Sequence, residues 1–216
     1  IQDAVAHLGP NVLVKAGGID LIDRLKENVD SPTKLVNIRT IPGLDQIREE
    51  ANGIHIGPLV TLAQLDTHAR VRGLYPALAD AAGHAATPHI RNVATIGGNL
   101  LQKSHCWYFR NDSFDCHKKG GTGCSAIKGE NENHAIFDNK SCAMVNPSAV
   151  SIPLVAYGAT LELTGKKGKR EVPIEQFYVR PAEDPKRENQ LGDDELLTGI
   201  RIPKPTAASA YIKLQE

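Results

Sequence analysis

Short apolar segments, separated by glycine and polar turns, begin this chain and predict alternating strands and helices. Residues 11–16 and 34–38 are compact apolar runs of strand length, and between them apolar residues recur at helical spacing over residues 19–26. Gly17-Gly18 separates the first strand from the helix. A strand, a glycine turn, a helix and a second strand in this order predict a small α/β unit.

The later residues predict two hairpins, several helices and one long polar loop. Asn52-Gly53 between two alternating segments is a strong hairpin signal, and Thr61 is a good N-cap for the helix after it. The predicted helices cover residues 2–8, 19–26, 61–68, 74–82, a segment ending before Pro88, and 147–156. The further predicted strands cover residues 47–50, 54–57, 160–164, 170–173 and 195–202. Residues 101–146 remain as a loop, which is uncommon at this length unless something orders it.

This mixture of hairpins and helices predicts an α+β fold. Residues 1–57 are expected to form a small leading α/β subdomain, and residues 58–216 a larger α+β one that contains the long loop. A chain of 216 residues buries about 70% of its unfolded surface, so its main core needs no cross-link. Any site in the long loop therefore serves function or orders one local segment.

The charge balance and the distribution of apolar residues exclude several classes of function. The 25 basic and 25 acidic residues balance, and neither sign forms a long run, so the electrostatic footprint of a nucleic-acid binder is missing. No apolar stretch has the length of a membrane span. The N-terminus lacks the charged-then-apolar order of a signal peptide. Serines and histidines show no nucleophile–base spacing, so no catalytic residue is assigned.

Two glycine turns are candidate binding elements. Gly17-Gly18 lies where a strand ends and a helix begins, and such turns expose backbone N–H groups that suit a pyrophosphate. Its pattern is not G-x-G-x-x-G, so the usual nicotinamide fingerprint does not apply. Thr95-Ile96-Gly97-Gly98-Asn99 supplies one hydroxyl, one amide and two bare backbone positions. Taken alone, each turn is also explained as a structural corner, the second one capped by Asn99.

Every cysteine of the chain lies in the long loop: Cys106, Cys116, Cys124 and Cys142. This clustering predicts one metal or iron–sulfur site, or a pair of disulfides. Structural zinc sites usually contain a close C-x2-4-C pair, which is missing here. Four thiolates suit an iron–sulfur cluster. The loop histidines are alternative ligands: His105, His117 and His134.

Three segments in a fixed order resemble a known family. They are Ala16–Leu21 (Ala-Gly-Gly-Ile-Asp-Leu), Ile90–Leu100, which contains Thr-Ile-Gly-Gly-Asn, and Glu195–Pro203. Together they are similar to the FAD-binding, or medium, subunit of molybdenum hydroxylases such as xanthine dehydrogenase and bacterial aldehyde oxidoreductases. The resemblance implies the two-subdomain FAD-binding fold of the vanillyl-alcohol oxidase and molybdopterin dehydrogenase (PCMH) type. Such subunits continue into a C-terminal domain that is expected to be missing from this sequence.

The resemblance also implies which residues hold FAD. Backbone amides of the first turn would wrap its pyrophosphate, from Lys15, Ala16, Gly17, Gly18, Ile19, Asp20 and Leu21. Residues near the flavin would be Thr95, Gly97, Gly98, Asn99, Leu197 and Lys213. Lys213 either stabilises anionic reduced flavin or is an ordinary solvated lysine. Ile19 and Ala149 stand where the family usually has Thr and Asp, which puts FAD affinity in doubt while leaving the backbone donors intact.

The long loop resembles that of a subset of these subunits, those of periplasmic-type aldehyde oxidoreductases. The matching segments are Cys106–Arg110 (Cys-Trp-Tyr-Phe-Arg), Gly129–Asn131 and His134-Ala135. Subunits of that subset carry a 4Fe-4S cluster in this loop. The resemblance therefore implies the four cysteines as cluster ligands.

The function implied by the resemblance is electron transfer within a multi-subunit molybdenum hydroxylase. A molybdopterin-binding large subunit would oxidise an aldehyde or N-heterocycle, and a small subunit would hold 2Fe-2S clusters. This chain would pass electrons from iron–sulfur clusters to FAD and on to an external acceptor. Neither nucleic acid nor direct membrane insertion is expected. The expected compartment is the cytoplasm, or the periplasm after export as a folded complex on a partner's signal. The alternative function is a zinc-stapled interaction domain that has lost flavin.

Overall fold

The computed structural model describes residues 1–214, which form two sheets of different kind. The strands are β1 (Val12–Lys15), β2 (Lys34–Asn37), β3 (Ile47–Glu50), β4 (Gly53–Ile56), β5 (Thr160–Gly165), β6 (Gly168–Pro173) and β7 (Glu195–Pro203). The helices are α1 (Gln2–Ala6), α2 (Ile19–Lys26), α3 (Leu62–Thr67), α4 (Ala69–Leu74), α5 (Pro76–Gly83), α6 (Pro88–Arg91), α7 (Ile96–Leu100), α8 (Ser151–Ala156) and α9 (Ile174–Phe177). This composition confirms the predicted α+β class.

The N-terminal α/β unit has the predicted order. Strands β1 and β2 pair in parallel, with Val14 opposite Val36, and α2 makes the connection between them. Helix α2 has the bounds that the apolar spacing predicted. Parallel neighbours need such a crossover, because a tight turn would reverse the chain. A small core lies beneath this unit: Ala4, Val5, Leu8, Val36, Ile38, Leu44, Leu59 and Leu196.

The five-stranded antiparallel sheet has the strand order β3-β4-β7-β5-β6. Both predicted hairpins form, β3 with β4 and β5 with β6. Strand β7 joins them, since it pairs with β4 on one side and β5 on the other. The first hairpin was assigned to the leading subdomain, yet its hydrogen bonds belong to the larger sheet. The subdomain boundary at residue 57 stays a prediction.

Proline positions shift several predicted helix boundaries. The helix predicted over 74–82 begins instead at Pro76, because Pro suits the first turn of a helix and the separate helix α4 ends at Leu74. The segment predicted to end before Pro88 was wrong in the same way, since α6 starts at Pro88 behind a Thr87 cap. Thr61 forms the predicted cap of α3 as part of a capping box with Gln64.

The C-terminal half contains two further differences from the sequence predictions. Helix α8 begins at Ser151 rather than Pro147, because Ser148 and the residues around it form hydrogen bonds with Asn99 and Ser151. Helix α9 was missed; its four residues follow Pro173 directly, and Ile174 and Phe177 are buried. The large sheet packs with α3, α5, α8 and α9 around the main core.

Residues 101–146 form a long connection, called here the cysteine loop. It contains two 3₁₀ turns, His117–Lys119 and Ser125–Ile127, and a small core of Tyr108, Ala126 and Ala143. Residues 1–214 include no helix with the length and apolar character needed to cross a membrane.

Candidate functional site

A cavity of about 630 Å³ lies where the N-terminal unit, the second glycine turn and the start of the cysteine loop meet. Its volume is typical of a site for a ligand of cofactor size. Twelve of the thirteen residues predicted to contact FAD line it: Ala16, Gly17, Gly18, Ile19, Asp20, Leu21, Thr95, Gly97, Gly98, Asn99, Leu197 and Lys213. Lys15 does not line it, and the Lys15 carbonyl accepts a hydrogen bond from Ile38.

The first glycine turn presents backbone donors to this cavity. Gly18 has φ +88° and is the N-cap of α2. The first backbone hydrogen bond of α2 runs from the Ile22 N–H to the Gly18 carbonyl, at 2.8 Å. The N–H groups of Ile19, Asp20 and Leu21 precede that bond and have no partner within the helix. They form the kind of positive concavity that binds phosphate groups.

The second glycine turn is the start of helix α7, not the isolated turn that the sequence predicted. Thr95 rather than Asn99 is the cap, since its hydroxyl oxygen accepts a hydrogen bond from the Gly98 N–H at 3.0 Å. The Gly97 N–H donates to the Pro58 carbonyl at 2.9 Å. A Cβ at Gly97 would fall 2.7 Å from Pro58 Cβ, so only glycine fits there.

Asn99 is held in place by neighbours rather than free to follow a ligand. Its Oδ1 accepts a hydrogen bond from the Ser148 hydroxyl at 2.8 Å. Only the amide nitrogen of its side chain is left to donate. The nearby Pro147 and Ala149 also line the cavity, as does Ile19, so both departures from the family pattern face the site.

Strand β7 contributes apolar and charged residues to the lining of the cavity. Leu197 is 2% exposed, and Leu196, Glu195 and Leu62 also line the cavity. Lys213 lines the cavity and is exposed. Apolar side chains together with a cation can accommodate a flat ring system.

Sequence reasoning missed four cavity residues that come from the cysteine loop: Leu101, Gln102, His105 and Arg110. They were missed because the loop folds back onto α2, which no local pattern predicts. Arg110 binds the carboxylates of Asp20 and Asp23. Burial and the charge of Arg110 lower the pKa of His105, although the two aspartates oppose this. The only sequence signal was Arg110 itself, at the end of the Cys-Trp-Tyr-Phe-Arg segment.

The four cysteines line a second, much smaller cavity inside the cysteine loop. All four are free thiols, so the disulfide alternative is not formed. Cys116 and Cys124 face each other across an antiparallel bridge, which puts their side chains on the same face. His134 Nε2 lies 3.1 Å from Cys106 Sγ.

Burial raises the pKa of the Cys142 thiol to about 11, with the Met144 N–H opposing the increase. Burial likewise raises the pKa of Cys106, against hydrogen bonds from the N–H groups of Phe109 and Tyr108. The nearby Cys116 and Cys124 add to the increase in pKa of both thiols. Within residues 1–214 no group of three or more His, Cys, Asp or Glu side chains could hold a metal ion.

A buried ion pair closes the cysteine cavity on one side. The side chain of Lys118 lines this cavity and is only 2% exposed. Its Nζ lies 3.4 Å from Glu188 Oε1, while Lys103 Nζ lies 2.6 Å from Glu188 Oε2. Glu188 therefore joins two lysines of the cysteine loop to the body of the domain.

Comparison with sequence families identifies a match over most of the chain. Residues 1–205 match the family described as the FAD binding domain in molybdopterin dehydrogenase. The match covers both glycine turns, the whole cysteine loop and every residue that lines the cavity except Lys213.

Relatives of known function include FAD subunits of several oxidoreductases. The chain is 34% identical over 200 residues to the aldehyde oxidoreductase FAD-binding subunit PaoB of Escherichia coli, covering 91% of this chain and 63% of the relative. It is 36% identical over 220 residues to the carbon monoxide dehydrogenase medium chain of Hydrogenophaga pseudoflava, covering 100% and 61%. The nicotinate dehydrogenase FAD-subunit of Eubacterium barkeri is 31% identical over 201 residues, covering 92% and 53%. The chain thus spans less than two thirds of each relative.

Solved structures support the same architecture. Reconstituted CO dehydrogenase from Oligotropha carboxidovorans superposes with a TM-score of 0.67 at 27% identity, covering 94% of this chain and 56% of that chain. Carbon monoxide dehydrogenase from Hydrogenophaga pseudoflava superposes with a TM-score of 0.68 at 25% identity, covering 95% of this chain and 56% of that chain. These neighbours confirm the predicted FAD-binding fold.

Proposed function

The chain belongs to the family of FAD-binding domains in molybdopterin dehydrogenases, and from this we propose that it is the electron-transferring flavin part of a molybdenum hydroxylase. The observation that carries the proposal is the cavity between the two glycine turns, lined by nearly every residue that the family pattern assigns to FAD. FAD, when bound, would supply the chemistry that links one-electron iron–sulfur centres to an external acceptor. The protein contributes binding, orientation and electrostatics.

The first turn is proposed to hold the FAD pyrophosphate. Three N–H groups at the start of α2 face an anion without competition from helix hydrogen bonds. Gly17 and Gly18 have no side chains that would keep the phosphates away from the backbone. Because these donors belong to the backbone, Ile19 in place of Thr removes one hydroxyl without removing the site.

The second turn is proposed to face the flavin end of the cofactor. The Thr95 oxygen already accepts from Gly98, so its hydroxyl hydrogen is free to be donated outward. Asn99 has only donors left, because Ser148 occupies its oxygen. Both side chains therefore suit the carbonyl and ring nitrogen acceptors of a flavin. Leu197 would pack on the ring, with Lys213 at the exposed rim.

A 4Fe-4S cluster held by Cys106, Cys116, Cys124 and Cys142 is proposed for the cysteine loop. The support for this proposal is that the four cysteines line one cavity within the cysteine loop. Four thiolates are the usual ligands of such a cluster. The bound cluster would supply one-electron chemistry, while Lys118 and backbone N–H groups offset the charge of the thiolates.

The partners and substrate are proposals taken from the relatives. Their names describe FAD subunits or medium chains of enzymes for aldehydes, nicotinate and carbon monoxide. We therefore expect this chain to assemble with a molybdopterin-binding large subunit and a 2Fe-2S small subunit. The variety of substrates among these relatives indicates that the substrate is selected outside the FAD-binding part.

The proposal is tested on the full chain purified with its associated subunits. Heat-released cofactor should be identified as FAD, and the absorption spectrum should show flavin bands over a broad iron–sulfur shoulder. Replacing Cys116 with Ser should remove about four iron atoms per complex, whereas Ser113→Ala in the same loop should remove none. A colourless protein containing zinc would instead support the flavin-free interaction domain.

A second readout separates an electron-carrying cluster from a structural one. Flavin reduction by substrate should slow in the Cys116→Ser complex even when FAD is saturating. An unchanged rate of flavin reduction would show that the cluster lies outside the electron path.

A further inference from the structure

Arg110 connects the cysteine loop to the first glycine turn. Its guanidinium binds Asp20 at 2.5 Å and Asp23 at 3.0 Å, and it also donates to the carbonyls of Ser104 and Lys103 at 2.8 and 3.1 Å. Only 14% of the Arg110 side chain is exposed. All its donor nitrogens are thus engaged, and two of them reach an element more than eighty residues away in sequence.

Asp20 lies where its negative charge disfavours the binding of an anion. It is in the first turn of α2 and lines the cavity beside the free N–H groups. A bare carboxylate there would repel a pyrophosphate and would itself compete for the positive helix end. The Asp20 side chain is only 19% exposed, so solvent screens this repulsion less than at an open surface.

Two cations face Asp20, and they come from different parts of the chain. Arg24, in the same helix, lies 3.1 Å from Asp20 and also binds Asp30. Arg110 is the one supplied by the cysteine loop, and it alone of the two contacts Asp23. Removing Arg110 would leave Arg24 shared between two carboxylates and Asp23 without this cation.

We propose that Arg110 is a positioning residue for FAD, which neutralises Asp20 at the pyrophosphate turn and makes FAD affinity depend on the order of the cysteine loop. The inference rests on the proposed FAD site and deepens it. Arg110 acts through Asp20 and needs no direct contact with the cofactor.

Backbone hydrogen bonds of the cysteine loop explain why FAD affinity should depend on the order of that loop. The Arg110 N–H donates to the Cys106 carbonyl at 3.0 Å, so Arg110 closes a turn that begins at a proposed cluster ligand. Cys106 in turn contacts His134 and lines the cavity of the thiols. Anything that fixes Cys106 therefore fixes Arg110 against α2. Because such coupling is reciprocal, bound FAD should also favour the ordered loop.

The test is a titration of FAD into the deflavinated full-chain complex, with Kd obtained from the quenching of flavin fluorescence. Arg110→Gln should raise Kd about tenfold, and Arg110→Lys, which keeps the charge without the planar fork, should raise it less. In an Asp20→Asn background the effect of Arg110→Gln should shrink to roughly threefold or less. Equal losses in both backgrounds would overturn the proposed action through Asp20.

The link to the loop is tested by a second pair of variants. Cys106→Ser should raise the Kd for FAD by itself but add little to Arg110→Gln. If the two losses instead multiply, Arg110 does not carry the coupling and the proposal fails. Arg180→Gln is the matched control, because it breaks an ion pair between the same loop and the domain body, at Asp138, and should leave Kd unchanged.

The outcomes separate this inference from the function proposed above. A wild-type complex that binds no FAD overturns the proposed function. A wild-type complex that binds FAD with a Kd within about twofold of the Arg110→Gln value overturns only the role of Arg110. If Arg110→Gln fails to fold, two other proteins are compared: the single variant Arg110→Lys and the double variant Asp20→Asn/Arg110→Gln. The double variant should have the lower Kd for FAD.

Discussion

The carbonyl oxygen of Val93 lies 2.2 Å from where a Cβ atom on Gly17 would be. This contact brings the first glycine turn against the segment that leads into the second. A methyl group at Gly17 would have to push two backbone segments apart, because no flexible side chain is present to move aside. The two turns therefore form one cradle, and its width is set by a residue without a side chain.

Gly17→Ala should lower the free energy of unfolding by about 1–3 kcal/mol through overpacking, and should also weaken FAD binding. Urea denaturation and FAD titration measure the two effects. Gly73→Ala is the control, since a Cβ there has nothing within 4 Å and Ala favours the helix. The control should be neutral or more stable by roughly 0.5–1 kcal/mol. Equal stabilities for the two variants would contradict the steric argument.

The Arg170–Glu195 pair predicts a pH-dependent contribution to stability. The bidentate contact with Arg170, at 2.6 and 2.7 Å, lowers the pKa of Glu195 below its ordinary value of 4.5. The unfolded chain therefore binds a proton at this group at higher pH than the folded chain does. The stabilisation is present above pH 4.5 and is lost as pH falls through the folded-state pKa.

Glu195→Gln should accordingly cost about 1 kcal/mol at pH 7, because Arg170 is partly exposed and solvent screens the pair. The difference from wild type should disappear in acid. Urea denaturation at a series of pH values measures it, with Glu183→Gln as an exposed control. A difference that stays constant down to pH 3 would argue against a titrating pair.

Glu188→Gln should be strongly destabilising. Glu188 is 5% exposed and forms ion pairs with Lys103 and the buried Lys118. Removing its charge leaves the buried Lys118 ammonium without a counter-charge, with the Arg187 carbonyl as a hydrogen-bond acceptor at 3.1 Å, and the change costs about 3 kcal/mol. Chemical denaturation measures this, and Glu132→Gln, at an exposed position of the same loop, should cost little. Similar values for both variants would show that the Lys118–Glu188 pair contributes nothing to the fold.

His134→Phe should alter the proposed cluster more than the fold. Burial lowers the pKa of His134, which keeps the ring neutral with one N–H, and Nε2 is the nitrogen that faces Cys106 Sγ. Loss of one such hydrogen bond, worth about 1 kcal/mol, corresponds to roughly 40 mV for a one-electron couple. The cluster potential should fall by at most that amount, because the hydrogen bond is present in both oxidation states and is stronger in the more negative reduced one.

A redox titration followed by electron paramagnetic resonance measures the potential, and His89→Phe at an exposed position is the control. An unchanged potential with unchanged iron content would show that His134 does not donate to the cluster sulfur.

Local patterns predicted the elements of this fold well and their junctions less well. Helix α2 and both hairpins follow from apolar spacing and from Asn52-Gly53, since these signals act within a few residues. The predicted starts of α5 and α6 were wrong because a proline has two opposite meanings in a sequence. It can occupy the first turn of a helix, as Pro76 and Pro88 do, or it can end the helix before it. Helix α9 was missed because four residues are too few for a periodic signal.

The sequence by itself determined twelve of the residues that line the cavity and the four cysteines that share a loop. Both depend on residue identity: glycine leaves backbone donors bare, and cysteine supplies the soft ligands of the proposed cluster. Only the tertiary structure decided that Asn99 faces Ser148, that β3 and β4 belong to the large sheet, and that Arg110 reaches Asp20. These contacts join residues far apart in the chain, and they exist only once packing of the whole domain has brought the segments together.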